Sequence, residues 1–194
     1  MKAKNKGILF IISAPSGSGK TTLCNKLVDS LKDLNRSISM TTRPPRSGER
    51  DGIDYIFIEK DEFLKRKKKN EFLEWAKVFD EYYGTPKKYI THLISKGQDV
   101  ILSIDVQGAM KTRKLRTRAV YIFITPPSMS KLRERLISRS TNSKKEIAKR
   151  LGIAKKELSY LSKYDYVVIN DVLVSALENL RSIVIAERCR TGRP

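Results

Sequence analysis

The residues whose types and spacing most plainly prescribe chemistry are Ala14-Pro15-Ser16-Gly17-Ser18-Gly19-Lys20-Thr21, with Thr22 following. They match the phosphate-binding pattern A-x-x-x-x-G-K-[ST], with alanine where the first glycine usually stands. Glycine is needed where backbone N–H groups must approach phosphate oxygens with no Cβ in the way. Lys20 can reach the terminal phosphates of a nucleoside triphosphate, and the Thr21 hydroxyl can ligate Mg²⁺. Such a string gains meaning from its setting. The apolar run Ile8-Leu9-Phe10-Ile11-Ile12 enters it as a strand, and Leu23, Leu27 and Leu31 leave it at helical spacing. The helix start contributes unpaired N–H groups and the positive end of its dipole. Together these residues specify a nucleotide site.

The elements that must carry the loop follow from hydrophobic patterning. Nearly continuous apolar runs recur at residues 8–13, 100–104, 120–125 and 166–169, the pattern of parallel strands buried on both faces. Amphipathic segments separate them, and Leu177, Leu180 and Val184 mark a C-terminal helix. The alternation predicts an α/β fold with a doubly wound parallel sheet, whose ligands bind beyond the carboxyl ends of the strands. Two stretches break it. Residues 36–97 carry shorter strand signals at 37–42, 53–58 and 72–78, with Pro44-Pro45, Ser47-Gly48 and Tyr83-Gly84-Thr85-Pro86 read as turns. Residues 127–164 are charged and helical, with Ile147, Leu151, Ala154, Leu158 and Leu161 on one apolar face. The expected organisation is one domain. Its core comprises residues 1–35, 98–126 and 165–194, with a small β-rich insert at 36–97 and a helical insert at 127–164.

Composition narrows the class. A chain of 194 residues with 40% hydrophobic content can build one such core. No apolar run approaches the ~20 residues that span a bilayer, so no membrane is expected. The basic N-terminus precedes an apolar run that ends in the phosphate loop, so cleavage after it would destroy the site, and a targeting role is rejected. Cys24 and Cys189 have no metal-type spacing and read as free thiols in a reducing cytoplasm. The net charge of +19 admits a nucleic-acid surface or a solvated lysine-rich one. Lys65-Arg66-Lys67-Lys68-Lys69 lies between Phe63-Leu64 and Phe72-Leu73, which marks the polar face and end of a helix. No series of stacking aromatics accompanies it, so nucleic acid is not the expected partner. Nothing in the chain selects an oligomeric state.

Further residues suit phosphate chemistry. Ile101-Leu102-Ser103-Ile104-Asp105 is an apolar strand ending in an acid, which can lie beside the loop and help hold hydrated Mg²⁺, or can serve as a helix cap. Thr41-Thr42-Arg43-Pro44-Pro45-Arg46 places two arginines on a proline-stiffened segment that no helix can accommodate. Each guanidinium can grip a phosphate bidentately, with the Tyr55 hydroxyl as a neutral donor; an exposed basic loop is the other reading. The single histidine, His92, follows Tyr89-Ile90-Thr91 in a predicted helix as a structural or surface residue. No nucleophile system is evident, and direct phosphoryl transfer needs none.

The ordered set of motifs resembles the guanylate kinases. It comprises the phosphate loop, Thr41 to Arg46, Gly52 to Tyr55, Glu71-Phe72-Leu73-Glu74-Trp75, Tyr82-Tyr83-Gly84-Thr85, Ile104-Asp105-Val106-Gln107-Gly108 and Arg135-Leu136 to Arg139, and it covers nearly the whole chain. The resemblance implies transfer of the γ-phosphoryl group of ATP to GMP with Mg²⁺, giving ADP and GDP, with dGMP an open alternative acceptor. It implies that Ser39, Arg43, Arg46, Tyr55 and Tyr83 hold the GMP phosphate. Glu74, Thr85 and Asp105 stand on the guanine side, where Ser39 can contribute too. A carboxylate at Glu74 suits guanine, which offers N1–H and an exocyclic amine as adjacent donors, whereas adenine presents a bare lone pair. The insert at 127–164 resembles the family's lid, with Arg135, Arg139 and Arg150 matching its arginines, and Asn170 matches an adenine-side segment, a helix-capping role for Asn170 or Asp171 being the other reading.

The catalytic set implied is Lys20, Arg43, Arg135, Arg139 and Arg150. The ATP site comprises Ala14 to Thr22 with Asn170, and the metal is held by Thr21 with Asp105 through water. Ser103 stands where many members carry an acid, and Ser140-Thr141-Asn142 departs from the usual residues after the lid arginine. Two other readings differ in class. A non-catalytic interaction module would have no need of Gly19, Lys20 and Thr21, and a nucleic-acid-binding phosphate-loop protein would exploit the charge.

Overall fold

The computed structural model describes residues 6–78, 80–115, 118–138 and 144–191; Arg139, Ser140, Thr141 and Asn142 lie outside them. In chain order the elements begin with β1 (Leu9–Ser13), α1 (Lys20–Ser30), β2 (Leu34–Arg36), β3 (Met40–Thr41) and β4 (Ile56–Phe57). Next come α2 (Lys60–Lys68), β5 (Phe72–Val78), β6 (Glu81–Pro86), α3 (Lys87–Ser95), β7 (Asp99–Ser103) and α4 (Val106–Lys114). The chain continues through β8 (Val120–Thr125), α5 (Met129–Ser138), α6 (Lys144–Leu158), a 3₁₀ turn, β9 (Tyr166–Ile169) and α7 (Leu173–Cys189).

A five-stranded sheet has the order β2-β7-β1-β8-β9, flanked by helices. β1 pairs in parallel with β8 (Phe10 opposite Val120), β2 with β7 (Leu34 opposite Asp99), and β8 with β9 (Ile122 opposite Tyr166). Every residue of β1 is buried, which is why Leu9 to Ile12 are apolar without alternation, Ser13 alone being polar. The fold class is therefore the expected α/β type, and the four core strands fall within a residue or two of their predicted positions. β2 went unpredicted because only Leu34 is buried in this polar strand at the sheet edge.

Two compact units divide the chain. One gathers the described residues of Met1–Leu9, Asp33–Leu102 and Gln107–Ala119, and the other those of Phe10–Lys32, Ser103–Val106 and Val120–Pro194. The first contains a second sheet of order β4-β3-β6-β5. In it β3 runs parallel to β4 and antiparallel to β6, and β5 and β6 are antiparallel with a bulge between Phe72 and Glu74.

The Tyr83-to-Pro86 stretch read as a turn is strand β6 instead. Its glycine is there for packing. A Cβ on Gly84 would stand 2.8 Å from Phe72 Cδ1 and 2.9 Å from Phe63 Cζ, two rings stacked with centroids 4.5 Å apart over the strand. The strands expected at 37–42 and 53–58 contract to Met40–Thr41 and Ile56–Phe57.

In the second unit, α1 buries Leu23, Cys24 and Leu27. It packs with α7, whose buried stripe is Ala176, Leu180, Val184 and Glu187. Arg181 and Arg188 of α7 donate to the Ser30 and Lys32 carbonyls at 3.2 and 2.8 Å, supplying cations to the C-terminal end of α1, which has none in its own last turn. α5 and α6 meet through Leu132, Leu136, Leu151 and Ala154. α6 thus uses the predicted face through Leu158, while Leu161 falls in the 3₁₀ turn.

The basic run closes α2 as expected, and Lys67 lies over the Trp75 ring at 3.6 Å from its centroid. His92 is exposed on α3. Neither Cys24 nor Cys189 forms a disulfide among the described residues. Among the described residues no helix is long and apolar enough to cross a membrane.

Candidate functional site

The phosphate loop leaves β1 and closes on α1. Its turn is tied by the Ser18 N–H donating to the Pro15 carbonyl at 3.1 Å. Gly17 and Gly19 have φ of 91° and 84°, left-handed values that a side chain rarely tolerates. Gly19 is the N-cap of α1, and a Cβ there would come 2.4 Å from Asn170 Nδ2. That nitrogen donates to the Ser18 carbonyl at 2.8 Å, from a side chain only 5% exposed. Asn170, which follows β9, therefore spends its amide on the loop backbone.

Lys20 and Thr21 open α1, the position from which a side chain and the helix's unpaired N–H groups face an anion together. The Lys20 ammonium donates to the Ile104 carbonyl at 2.9 Å. Ser13 Oγ donates to the Asp105 carbonyl at 3.4 Å, so the loop is secured to the chain on both sides of the Ile104–Asp105 bond. Thr21 and Thr22 are exposed. Glu157 of α6 belongs to this neighbourhood as well. Burial pushes its carboxyl up to about 7, the Asp105 charge adds to that rise, and Lys20 opposes it. Arg135 of α5 donates to the Asn170 carbonyl at 2.9 Å and the Asp171 carbonyl at 3.3 Å, and Arg150 is exposed on α6. Arg139 lies outside the described residues.

The remaining sequence-selected residues lie in the first unit. Arg43 leaves the end of β3 with its guanidinium carbon 5.5 Å from the Tyr55 ring centroid. Its Nε donates to the Tyr83 hydroxyl at 3.2 Å and its Nη2 to Glu49 Oε1 at 2.9 Å. Burial opposes the guanidinium charge, yet the bonds to Glu49 and Tyr83 outweigh it and raise Arg43 above its ordinary value. Burial pushes the Tyr55 phenol up, which keeps it a neutral donor. Ser39 accepts the Ile56 N–H at 2.9 Å through its carbonyl, and Arg46 is exposed. On the paired strands β5 and β6, Glu74 stands opposite Thr85, and the Thr85 hydroxyl donates to Glu74 Oε1 at 2.6 Å. Both are buried, Glu74 at 8% exposure and Thr85 at 0%.

Two carboxylates went unselected in the sequence. Glu49 follows Arg46 by three residues and closes the Ser47-Gly48 turn, a spacing that could have marked it as a turn-closing acid. Burial pushes its carboxyl up, but the Arg46 N–H and the Arg43 guanidinium prevail and hold it below the ordinary carboxylate range. Glu157 gave no signal beyond lying on an amphipathic helix. Among the described residues no group of three or more His, Cys, Asp or Glu could hold a metal ion by itself. Of the residues expected to hold Mg²⁺, Thr21 is exposed on the first turn of α1 and Asp105 follows β7, and both offer hard oxygen donors.

Known proteins share this plan. The family model described as guanylate kinase matches residues 6–187. A guanylate kinase of Caldanaerobacter subterraneus subsp. tengcongensis is 51% identical over 193 residues, covering 100% of this chain and 94% of that protein. One from Clostridium perfringens is 45% identical over 189 residues, covering 97% and 88%. The crystal structure of guanylate kinase from Anaplasma phagocytophilum superposes with a TM-score of 0.80 at 35% identity, covering 96% of this chain and 89% of that one. Sequence, family model and three-dimensional likeness agree over nearly the full length: the chain belongs to the guanylate kinase family.

Proposed function

We propose that this protein is an ATP:GMP phosphotransferase working in the cytoplasm, and that its acceptor specificity resides in Glu74. The observation that carries the reading is a buried carboxylate held by the Thr85 hydroxyl at 2.6 Å, in a chain that also has an intact phosphate loop. Guanine meets such a carboxylate with two donors, and adenine with a lone pair that repels it. A polar site of this kind discriminates by roughly 10⁴-fold, because the wrong base leaves its buried groups unpaired.

In the reaction a phosphate oxygen of GMP attacks the γ-phosphorus of ATP. The bond from that phosphorus to the ADP oxygen breaks, and GDP and ADP result. The loop amides, with Lys20, hold the donor phosphates, and Arg43, Arg46, Tyr55, Tyr83 and Ser39 hold the acceptor phosphate. Arg135, Arg139 and Arg150 neutralise charge as transfer proceeds. At ~4 Å and an effective dielectric of ~20, each such contact is of order 4 kcal/mol before desolvation. Arginines engaged only at transfer favour the transition state over bound substrates, and excluded water suppresses ATP hydrolysis. Thr21 and Asp105 fit Mg²⁺, a hard cation that takes oxygen ligands, and the ion would screen the donor phosphates. Asn170 serves the ATP side by holding the loop. In this scheme residues 36–97 form the acceptor insert and 127–164 the lid, on a core of residues 1–35, 98–126 and 165–194.

Purified protein assayed with ATP, Mg²⁺ and a panel of GMP, dGMP, AMP, UMP and CMP tests the reading. Turnover restricted to guanine nucleotides supports it, and equal turnover of AMP or UMP overturns it.

A further inference from the structure

We infer that Glu49 is the positioning residue of the acceptor-phosphate site, setting the Arg43 guanidinium and the Arg46 backbone with one carboxylate. The inference rests on the reading that Arg43 and Arg46 grip the GMP phosphate. Pro44 and Pro45 stiffen the chain between the two arginines, but they cannot fix a guanidinium at the end of a long side chain with ~2 kcal/mol of rotamer entropy. Something else must hold it. Of its five N–H donors, Nε serves Tyr83, Nη2 serves Glu49, and Nη1 serves the Pro44 carbonyl. The rings of Tyr55 and Phe57 lie 5.5 and 5.9 Å from its carbon. Two N–H donors remain, enough for one bidentate phosphate contact.

Glu49 is fixed in turn. Its Oε2 accepts the Arg46 N–H at 2.8 Å, and its own N–H donates to the Arg46 carbonyl at 3.0 Å, so the 46–49 turn is bonded in both directions. Gly48, with φ of 85°, permits that turn. The Arg43–Glu49 pair is largely withdrawn from solvent, at 12% and 20% side-chain exposure, unlike the exposed ion pair Lys131–Glu134 at 49% and 60%. Screening is correspondingly weaker. The chemistry is specific to a carboxylate. Both oxygens face donors, whereas a glutamine of the same shape can accept at only one position and must turn its NH₂ toward a donor at the other.

Glu49→Gln and Glu49→Ala test this in the full chain. GMP binding by calorimetry and steady-state kinetics with saturating ATP are expected to weaken by roughly ten- to hundred-fold in GMP Kd and KM. KM for ATP should stay within about twofold and kcat should change less than KM. In an Arg43→Ala background, Glu49→Ala should cost less than it does in the wild type, because the part of its effect that runs through Arg43 is already lost and only the part through the Arg46 backbone remains. Unchanged or tighter GMP binding would overturn the inference and mark Glu49 as a competitor for the phosphate's place. Equal losses toward ATP and GMP would also overturn it, as would full additivity with Arg43→Ala. Wild-type protein that turned over no GMP would overturn the functional reading instead. Binding of inorganic phosphate, compared between wild type and the Glu49 variants, would then still decide the role of Glu49.

Discussion

The side-chain amide of Asn170 donates to the Ser18 carbonyl at 2.8 Å, so the residue that follows β9 holds the backbone of the phosphate loop. The same nitrogen occupies the space a Cβ on Gly19 would need, at 2.4 Å. Asn170→Ala leaves the buried carbonyl without its donor, a loss of about 1–3 kcal/mol. KM for ATP is expected to rise roughly five- to tenfold with GMP affinity unchanged, and the unfolding midpoint to fall by a few degrees. Gly19→Ala should be far worse, since its φ of 84° strains any side chain. Adding Asn170→Ala relieves the clash but not the strain, so it should not restore activity to Gly19→Ala. Steady-state assays of the two single variants and the double variant check this.

Glu74 and Thr85 give the second prediction. Glu74→Gln presents an NH₂ where guanine also presents donors, so kcat/KM for GMP should fall by roughly 10²–10³-fold, with AMP gaining relative to GMP. Thr85→Val removes the hydroxyl that fixes one carboxylate oxygen at 2.6 Å and should cost about tenfold. Competition between GMP and AMP in one assay reads both effects. A Glu74→Gln enzyme that still rejected AMP as before would place specificity elsewhere.

How legible the chain is depends on what each residue has to do. β1, β7 and β8 could be read because buried parallel strands must be apolar, and the loop could be read because phosphate demands glycine, lysine and a hydroxyl in fixed order. β6 was hidden because Gly84 and Pro86 carry turn chemistry in their names, while Gly84 is required by the Phe63 and Phe72 rings above it. Glu49 looks like any solvated acid near a proline-rich turn. Its meaning lies in which two donors its oxygens face, and only folded geometry provides that. Asn170 could be chosen from its motif, but its partner Ser18 lies 152 positions away.

Glu157 makes stability depend on pH. Its folded pKa of about 7 stands above the ordinary 4.5, chiefly through burial. Between these values the folded state binds more protons than the unfolded state, so stability falls as pH rises across the window. Below 4.5 the carboxyl is neutral in both states and above 7 it is charged in both, and the contribution levels off. The loss is of the order of 2 kcal/mol once partial solvent screening is allowed for. Glu157→Gln should flatten this part of the profile and stabilise the protein at pH 8 relative to pH 5. Denaturant titrations of both proteins across that range measure it, and a slope equal to wild type would exclude Glu157 as its source.

Arg135 and Arg150 should separate by what they touch. Arg135 bonds two successive carbonyls, of Asn170 and Asp171, through Nη1 and Nη2, a fork that a lysine cannot reproduce. Removing it affects both charge neutralisation in transfer and the anchoring of the segment that holds the loop. Arg135→Ala should therefore lower kcat by roughly 10²–10³-fold and also raise KM for ATP. Arg135→Lys should recover the charge effect but not the anchoring, leaving KM for ATP raised. Arg150 is exposed and makes no ion pair among the described residues. Arg150→Ala should lower kcat with KM for ATP and the unfolding midpoint unchanged, because this exposed guanidinium anchors no segment among the described residues. If both arginines behaved alike in kcat, KM and midpoint, the two carbonyl contacts of Arg135 would have no functional weight.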